Sequence, residues 1–174
     1  MKKKLKVAIL GTGNIGTDLL VKILRSPVLE CVLFAGRSSK SAGMNKAAQL
    51  KVKVSDKGIY AVMKNIKSCD LVFDATSAES HKLNWACLQK SGKMVVDMTP
   101  SRIGRMIIPA VNLKDVRKYR NINMISCGGQ ASIPLVHAFS GIHKKLEYIE
   151  VVSSIASKSA GPGTRKNIDE YIEN

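Results

Sequence analysis

The feature that most constrains the fold is a short apolar run near the start of the chain, followed at once by three closely spaced glycines. Val7 to Leu10 are all apolar and predict a buried strand, and Gly11-Thr12-Gly13-Asn14-Ile15-Gly16 comes directly after them. From Asn14 to Pro27 apolar residues recur at helical spacing, and the proline cannot continue a helix. The sequence therefore predicts a strand, a glycine turn and a helix in immediate succession.

This glycine pattern is the one that binds a dinucleotide when it lies between a strand and a helix. Gly11 allows a tight turn, Gly13 lets the backbone approach a pyrophosphate, and Gly16 lets the helix pack closely on the strand. The N–H groups at the start of the helix then bind the phosphate oxygens. A glycine turn that serves compact packing alone is the alternative interpretation.

Strand and helix patterns continue to alternate over the first 145 residues. The strands are nearly continuous apolar runs, as expected for a parallel sheet covered by helices on both faces. The pattern therefore predicts an α/β fold, a doubly wound parallel sheet of about six strands of the Rossmann type. The further strands are predicted at residues 31–35, 52–54, 71–73, 94–97 and 122–125, and the helices at 41–50, 59–66, 80–90 and 133–144.

The pattern changes after Leu146. Residues 147–157 predict a long strand, residues 165–173 predict a short amphipathic helix, and nothing follows to complete a second layer. We therefore divide the chain into a dinucleotide-binding domain, residues 1–145, and the start of a truncated second α+β domain, residues 146–174. Because a lone apolar strand needs a partner surface, we expect dimerisation or aggregation through residues 147–157.

The positive charge of the chain does not by itself predict a nucleic-acid partner. Lys and Arg number 28 against 13 Asp and Glu, a formal net charge of +15, but the basic residues are scattered. Aromatic residues are 5% of the chain and no helix-turn-helix or RNA-binding motif occurs. We therefore predict no nucleic-acid partner and assign the charge to surface solvation or to attraction of an anionic cofactor.

The sequence predicts no membrane segment, secretion signal or metal site. No apolar run approaches the ~20 residues of a membrane helix, and the start Met1-Lys2-Lys3-Lys4 lacks the apolar stretch of a signal peptide. Cys31, Cys69, Cys87 and Cys127 lack the paired spacing of a zinc site. We therefore expect a cytoplasmic protein with free thiols and no metal.

The end of the second predicted strand bears on the choice of dinucleotide. An acidic residue at this place binds the ribose hydroxyls of NAD, whereas this chain has Gly36-Arg37-Ser38-Ser39 and no carboxylate before Asp56. A guanidinium flanked by hydroxyls suits the 2′-phosphate of NADP. Arg37 and Ser38 are therefore candidate cofactor-binding residues, and a solvated loop arginine is the alternative.

Cys127 is the candidate nucleophile. It follows a predicted buried strand and precedes Gly128-Gly129-Gln130 and a predicted helix, which is where doubly wound enzymes place reacting groups. Backbone N–H groups there can receive an oxyanion. Cys31 lies inside a predicted strand and Cys87 inside a predicted helix, so both are expected to be inert core thiols.

These motifs, taken together, resemble the N-terminal part of acylating acetaldehyde dehydrogenases, the enzymes that partner 4-hydroxy-2-oxovalerate aldolase in the breakdown of aromatic compounds. The resemblance runs in order through nearly the whole chain. The segments that carry it are residues 7–19, 72–78, 97–100, 109–113, 123–131 and 154–165.

The resemblance implies that a short aldehyde and CoA are converted to acetyl-CoA with reduction of NAD. In this chemistry the thiolate of Cys127 attacks the aldehyde, and the resulting thioester is passed to CoA. The switch-point rule adds Ala75, Thr76 and Ser77 along the cofactor. The family's own cofactor contacts correspond to Thr12, Gly13, Asn14, Ile15, Ser159, Ala160, Gly161, Pro162, Gly163, Thr164, Arg165, Lys166 and Asn167.

Two departures from the family leave alternatives open. The Gly36-Arg37-Ser38 segment replaces the usual acidic residue, so NADP use stays possible, and family members are considerably longer than this chain. We expect the chain alone to bind the cofactor and to turn over slowly or not at all. The alternatives are a reductase of the aspartate-semialdehyde or N-acetylglutamyl-phosphate type and a non-catalytic cofactor-binding remnant.

Overall fold

A computed structural model of the chain describes residues 3–143, 145–154, 156 and 165. Strands and helices alternate through most of this range. The strands are β1 Leu5–Leu10, β2 Leu29–Ala35, β3 Val54–Ser55, β4 Leu71–Asp74, β5 Met94–Asp97, β6 Arg105–Met106 and β7 Asn121–Asn123. The helices are α1 Asn14–Arg25, α2 Ala42–Gln49, α3 Gly58–Lys64, α4 Ala78–Leu88, α5 Pro109–Asn112 and α6 Cys127–Ile142, with short 3₁₀ turns at Ile66–Ser68, Gln89–Ser91 and Leu113–Lys118.

All seven strands form one sheet in the order β3-β2-β1-β4-β5-β7-β6. Every neighbouring pair is parallel, so the carboxyl ends of all strands lie at one edge of the sheet. The chain runs outward from β1 to β3 on one side, and then returns to place β4 on the other side of β1. This order confirms the doubly wound fold and puts the reversal of strand order between β1 and β4, where such sheets bind ligands.

The core lies on both faces of the sheet, because successive strand residues point to opposite faces. On one face Val7 and Ile9 pack with Leu20, Phe34 and Met44, under α1 and α2. The other face carries a second apolar cluster, under α3 and α4. Its members are Ala8, Leu10, Leu33, Ala35, Ala61, Val62, Cys69, Val72, Leu88 and Val95. The near-continuous apolar runs of the strands are explained by this double coverage.

The start of α6 corrects the sequence-based expectation. The helix begins at Cys127, six residues before the predicted start at residue 133, and it contains Gly128, Gly129 and Pro134. Glycine and proline are poor helix formers, so the sequence does not predict a helix that begins at Cys127. The structure shows that the side chain of Ser126 accepts a hydrogen bond from the Gly129 N–H at 3.1 Å and so caps the helix.

The strand predicted over residues 147–157 is not formed in the described part of this segment. Residues 145–154 have no regular secondary structure, and the Tyr148 and Val152 side chains are 78% and 87% exposed. A strand needs a neighbour for its N–H and C=O groups, and no other described part of the chain pairs with this segment. The helix predicted over residues 165–173 lies outside the described residues except for Arg165, and the division at residue 145 stays a prediction.

Within the part of the chain that the structure describes, no helix has both the length and the apolar composition that a membrane crossing requires.

Candidate functional site

The glycine turn is packed tightly against the loop that follows β4. Gly11 has φ +102°, and a Cβ there would lie 2.3 Å from the carbonyl oxygen of Ala75. A Cβ on Gly16 would lie 1.9 Å from the carbonyl oxygen of Gly11. Only glycine fits either position, so these two residues bring the start of α1 against the end of β4.

Gly13 differs from the other two glycines because its Cβ position is open. It forms the N-cap of α1, and a Cβ there would meet no atom within 4 Å. Gly13 supplies no side-chain cap, and the first turn of α1 contains no acidic residue. An uncapped helix start with open space before it suits an anionic group such as a pyrophosphate.

Thr12 is held from the side of α2. Its hydroxyl accepts a hydrogen bond from Ser41 at 3.0 Å. A Cβ on Gly36 would lie 2.5 Å from the Thr12 side chain, and a Cβ on Gly43 would lie 2.3 Å from the Thr12 backbone. These close approaches join the glycine turn to the loop between β2 and α2. Gly43 was not among the predicted site residues, because its contact with Thr12 is not visible in the sequence.

Arg37 and Ser38 follow the end of β2, the strand next to β1, and both are exposed. The structure therefore places them at the same edge of the sheet as the glycine turn. The first carboxylate after them along the chain, Asp56, lies 3.6 Å from the ammonium group of Lys57.

The loop after β4 contains the predicted residues Ala75, Thr76 and Ser77. Ala75 contacts Gly11 as described above, and Thr76 donates its backbone N–H to the Asp74 carboxylate at 3.1 Å. The Ser77 side chain accepts from the Ser80 N–H at 3.2 Å and caps α4. The structure thus places Ala75 and the Thr76 nitrogen next to Gly11, at the edge of the sheet that the switch-point rule identifies.

A buried polar network beneath this edge was missed by the sequence analysis. The His81 ring, fully buried, lies with Nδ1 2.9 Å from Asp74 and Nε2 3.4 Å from Asp97. Asn84 donates to Asp74 at 2.8 Å, and the Asn121 amide lies 3.1 Å from the His81 ring. Burial raises the pKa of Asp97, against the lowering effect of its hydrogen bonds to Ser101 and Thr99 and of nearby His81.

Three neighbouring strands end in the same local arrangement. The side chains of Asp74, Asp97 and Asn123 accept the backbone N–H two residues further on, at 3.1, 2.8 and 2.9 Å. These are Asx turns, in which a short side chain replaces a backbone hydrogen-bond partner. An Asp or Asn at the end of each of β4, β5 and β7 is the sequence signal that could have revealed the network.

Cys127 is exposed and is the first residue of α6. It follows β7, which is separated from β1 by β4 and β5. Three strand spacings correspond to about 14 Å along the carboxyl edge of the sheet. Cys127 and the glycine turn therefore follow strands that end at the same edge of the sheet.

The other cysteines differ in accessibility. Burial raises the pKa of the Cys31 thiol to about 11 and also raises that of Cys69. Cys87 is exposed on α4, so the expectation that it is a core thiol is wrong. A helix in this fold buries only one face, and the low amphipathicity of α4 did not reveal which face that is.

The remaining predicted cofactor contacts belong to residues 159–167. Ser159 to Thr164, Lys166 and Asn167 lie outside the described residues, and Arg165 is exposed. Among the described residues, no group of three or more His, Cys, Asp or Glu side chains could hold a metal ion.

Two known families match this chain. Residues 6–119 match the family described as semialdehyde dehydrogenase, NAD binding domain. Residues 127–174 match the family described as prokaryotic acetaldehyde dehydrogenase, dimerisation. The first match covers the glycine turn and strands β1 to β6 apart from Leu5, and it ends before β7. The second begins at Cys127.

Curated relatives match the chain over nearly its whole length. A protein from Pectobacterium atrosepticum named acetaldehyde dehydrogenase is 53% identical, with 99% of this chain and 59% of the relative covered. A protein of the same name from Spirochaeta aurantia is 56% identical, with 98% of this chain and 57% of the relative covered. The chain therefore spans a little more than half the length of these relatives.

Solved structures support the fold. An aspartate semialdehyde dehydrogenase with NADP from Candida albicans superposes with a TM-score of 0.62 at 19% identity, covering 80% of this chain and 48% of that one. An NAD-binding protein from Listeria innocua gives a TM-score of 0.52 at 22% identity, covering 71% of this chain and 35% of that one. Similarity at this level of identity concerns the fold alone.

Proposed function

The chain belongs to the family of semialdehyde dehydrogenase NAD-binding domains, and from this premise we propose that it oxidises a short aldehyde through a thioester on Cys127. The substrate is acetaldehyde, the hydride acceptor is NAD and the final acyl acceptor is CoA. The proposal is supported by the curated relatives named acetaldehyde dehydrogenase and by the position of Cys127 at the edge that carries the glycine turn.

The residues present fit a dinucleotide. The open space at Gly13 and the uncapped start of α1 suit the pyrophosphate, and residues 75–77 line the next loop along the same edge. When bound, NAD supplies the hydride acceptor. The chain's own residues hold it: Gly11 and Gly16 give the turn its shape, and Thr12 is fixed by Ser41.

Cys127 carries the covalent chemistry in this proposal. Its thiolate attacks the carbonyl carbon, so a C–S bond forms and the carbonyl electron pair moves to oxygen. When that electron pair re-forms the C=O bond, the hydride that leaves the carbon would pass to NAD held at the glycine turn, and a thioester remains on Sγ. The thiolate of CoA then attacks the thioester, and the departing Cys127 thiolate completes the cycle. The N–H groups in the first turn of α6 favour negative charge at this position.

The observation that carries the proposal is that Cys127 and the glycine turn share the carboxyl edge of one parallel sheet, with only β4 and β5 between them. Incubating the chain with acetaldehyde and NAD, followed by intact-mass spectrometry and NADH absorbance, tests it. We expect one acetyl group on Cys127 for each NADH formed. NADH formation without acylation of Cys127, or NAD binding with no acylation by either acetaldehyde or acetyl-CoA, contradicts the proposal.

NADP is a second candidate cofactor, favoured by the exposed Arg37 at the end of β2. If Arg37 binds a 2′-phosphate, Arg37→Ala should weaken NADP binding by about ten-fold and leave NAD binding within about two-fold, since one charge-assisted hydrogen bond is lost. Titration with both dinucleotides measures this. Lys40→Ala, a nearby exposed cation, is the matched control, and a preference for NAD that survives Arg37→Ala contradicts NADP use.

The same Arg37 observation favours a second reaction, reduction of an acyl phosphate by an aspartate-semialdehyde type of enzyme. In that reaction the Cys127 thiolate takes the acyl group from the acyl phosphate, phosphate leaves, and hydride then reduces the thioester to the aldehyde. In the reverse direction the thioester on Cys127 passes to phosphate instead of CoA. Release of the acetyl group from Cys127 by phosphate and not by CoA would favour this candidate.

A homodimer belongs to the proposal as well, because residues 127–174 match a dimerisation family. Leu135, Phe139 and Ile142 are 63%, 58% and 73% exposed on α6, at spacings that place them on one helical face. We infer that this face packs against a second copy of the chain.

A cytoplasmic location and docking of a 4-hydroxy-2-oxovalerate aldolase stay predictions.

A further inference from the structure

The turn that leads to Cys127 contains an unfavourable backbone conformation. Ile125 has φ +62°, in the left-handed region. Of the three non-glycine residues with positive φ in the described chain, Lys51, Arg102 and Ile125, it is the one with a β-branched side chain. Such residues rarely adopt this conformation, because Cβ crowds the backbone, so neighbouring groups must hold it in place.

Asn123 holds this turn from the side of the sheet. Its side-chain oxygen accepts the Ile125 N–H at 2.9 Å, and its amide nitrogen donates to Asp97 at 2.7 Å and to the Thr99 carbonyl at 2.9 Å. Asn123 is fully buried, so its orientation is fixed by these partners. The Asp97 carboxylate also accepts from Ser101, which ties the arrangement to the end of β5.

The other side of the turn is held by α6. Gln130 donates its side-chain amide to the Met124 carbonyl at 3.0 Å and to the Ile107 carbonyl at 2.7 Å. The Ile125 side chain lies against the first turn of α6, since a Cβ on Gly129 would be 3.3 Å from its methyl group. Ile125 therefore packs directly against the helix turn that begins at Cys127.

We propose that Asn123 is a positioning residue that holds Ile125 in the left-handed conformation and thereby sets the Cys127 thiol at the start of α6. This inference rests on the proposed function, in which Cys127 is the nucleophile. A purely structural role for Asn123 differs in its consequences. It would lower the stability of the whole chain and would not act selectively on Cys127.

Two readouts distinguish these roles in the Asn123→Ala variant. The first is hydrogen exchange of the Ile125 amide, which reports the turn without reference to thiol chemistry. The second is the ratio of iodoacetamide labelling rates at Cys127 and Cys87, two exposed thiols on different helices. We expect faster exchange at Ile125 and a fall in the ratio of about five-fold, as the loss of one buried hydrogen bond predicts.

A glycine rescue makes the test specific. Glycine adopts positive φ readily. The ratio of Cys127 to Cys87 labelling should therefore be at least about two-fold higher in the double variant Asn123→Ala, Ile125→Gly than in Asn123→Ala alone. Asn123→Ser keeps an acceptor at the turn and should lie between the wild-type chain and Asn123→Ala, which decides the question if the alanine variant does not fold. Asn84→Ala removes a buried amide that bonds Asp74 instead, and should leave the ratio unchanged.

The outcomes separate this inference from the proposed function. Equal labelling of Cys127 and Cys87 in the wild-type chain contradicts the activated nucleophile, and the Ile125 exchange then decides the positioning claim alone. Unchanged exchange in Asn123→Ala and Asn123→Ser overturns the inference. An unchanged labelling ratio despite faster exchange, or a ratio that falls equally in Asn84→Ala, also overturns it.

Discussion

Replacing Gly13 by alanine is expected to weaken NAD binding by about 100-fold or more while leaving the fold intact. The backbone there has φ −78° and ψ −168°, which alanine adopts without strain, and the added Cβ meets no atom of the protein within 4 Å. The methyl group would occupy the space through which the pyrophosphate approaches the backbone. Calorimetric titration with NAD and thermal unfolding measure the two effects separately.

Two other glycines serve as controls for this prediction. Gly141 also has an open Cβ position, and Gly141→Ala in α6 should change neither NAD binding nor stability by much. Gly11→Ala should destabilise the fold itself, because its Cβ would clash with the Ala75 carbonyl at φ +102°. If Gly13→Ala binds NAD as tightly as the wild-type chain, the turn serves packing alone.

Replacing Cys127 by serine is expected to reduce acetyl transfer to the chain by at least about 10³-fold, because loss of a nucleophile removes the covalent route. A serine hydroxyl keeps the size of the thiol but is a much weaker nucleophile at neutral pH. Intact-mass spectrometry after incubation with acetaldehyde and NAD, or with acetyl-CoA, measures the acetyl group. NAD binding should stay unchanged, since Cys127 lies three strand positions away from the glycine turn.

Cys87→Ser is the matched control for the thiol, because Cys87 is also exposed but lies on α4. It should retain full acetylation at Cys127. Acetylation that persists in Cys127→Ser and disappears in Cys87→Ser would place the nucleophile on α4 and contradict the proposal.

The parts of the site that are local in sequence were predictable. A buried strand, the Gly11 to Gly16 turn and a helix depend on neighbouring residues alone, and the structure places them as expected. The contacts among Asp74, His81 and Asp97 join residues on different elements. Hydrophobic periodicity identifies strands but does not say which strands are neighbours, so this network could not be seen.

The errors also have physical causes. Gly128, Gly129 and Pro134 argue against a helix by intrinsic propensity, yet the Ser126 cap and the packing of Ile125 allow α6 to begin at Cys127. The apolar residues after Leu146 do suggest a strand, but a strand has to pair with a neighbour, and no described residue pairs with this segment. In the first case capping and packing outweigh intrinsic propensity. In the second case an apolar pattern alone does not supply the pairing that a strand needs.

The central claim is that the glycine turn and Cys127 serve one bound cofactor. Iodoacetamide labelling at pH 8 with increasing NAD tests it most directly, with each cysteine quantified by peptide mass spectrometry. Cys31 and Cys69 should stay unmodified, because burial raises the pKa of both thiols. We predict that NAD slows the labelling of Cys127 and that this effect is half-maximal at the NAD dissociation constant. Labelling of Cys87 should be unaffected. NAD that binds without changing the labelling of Cys127 would contradict the account.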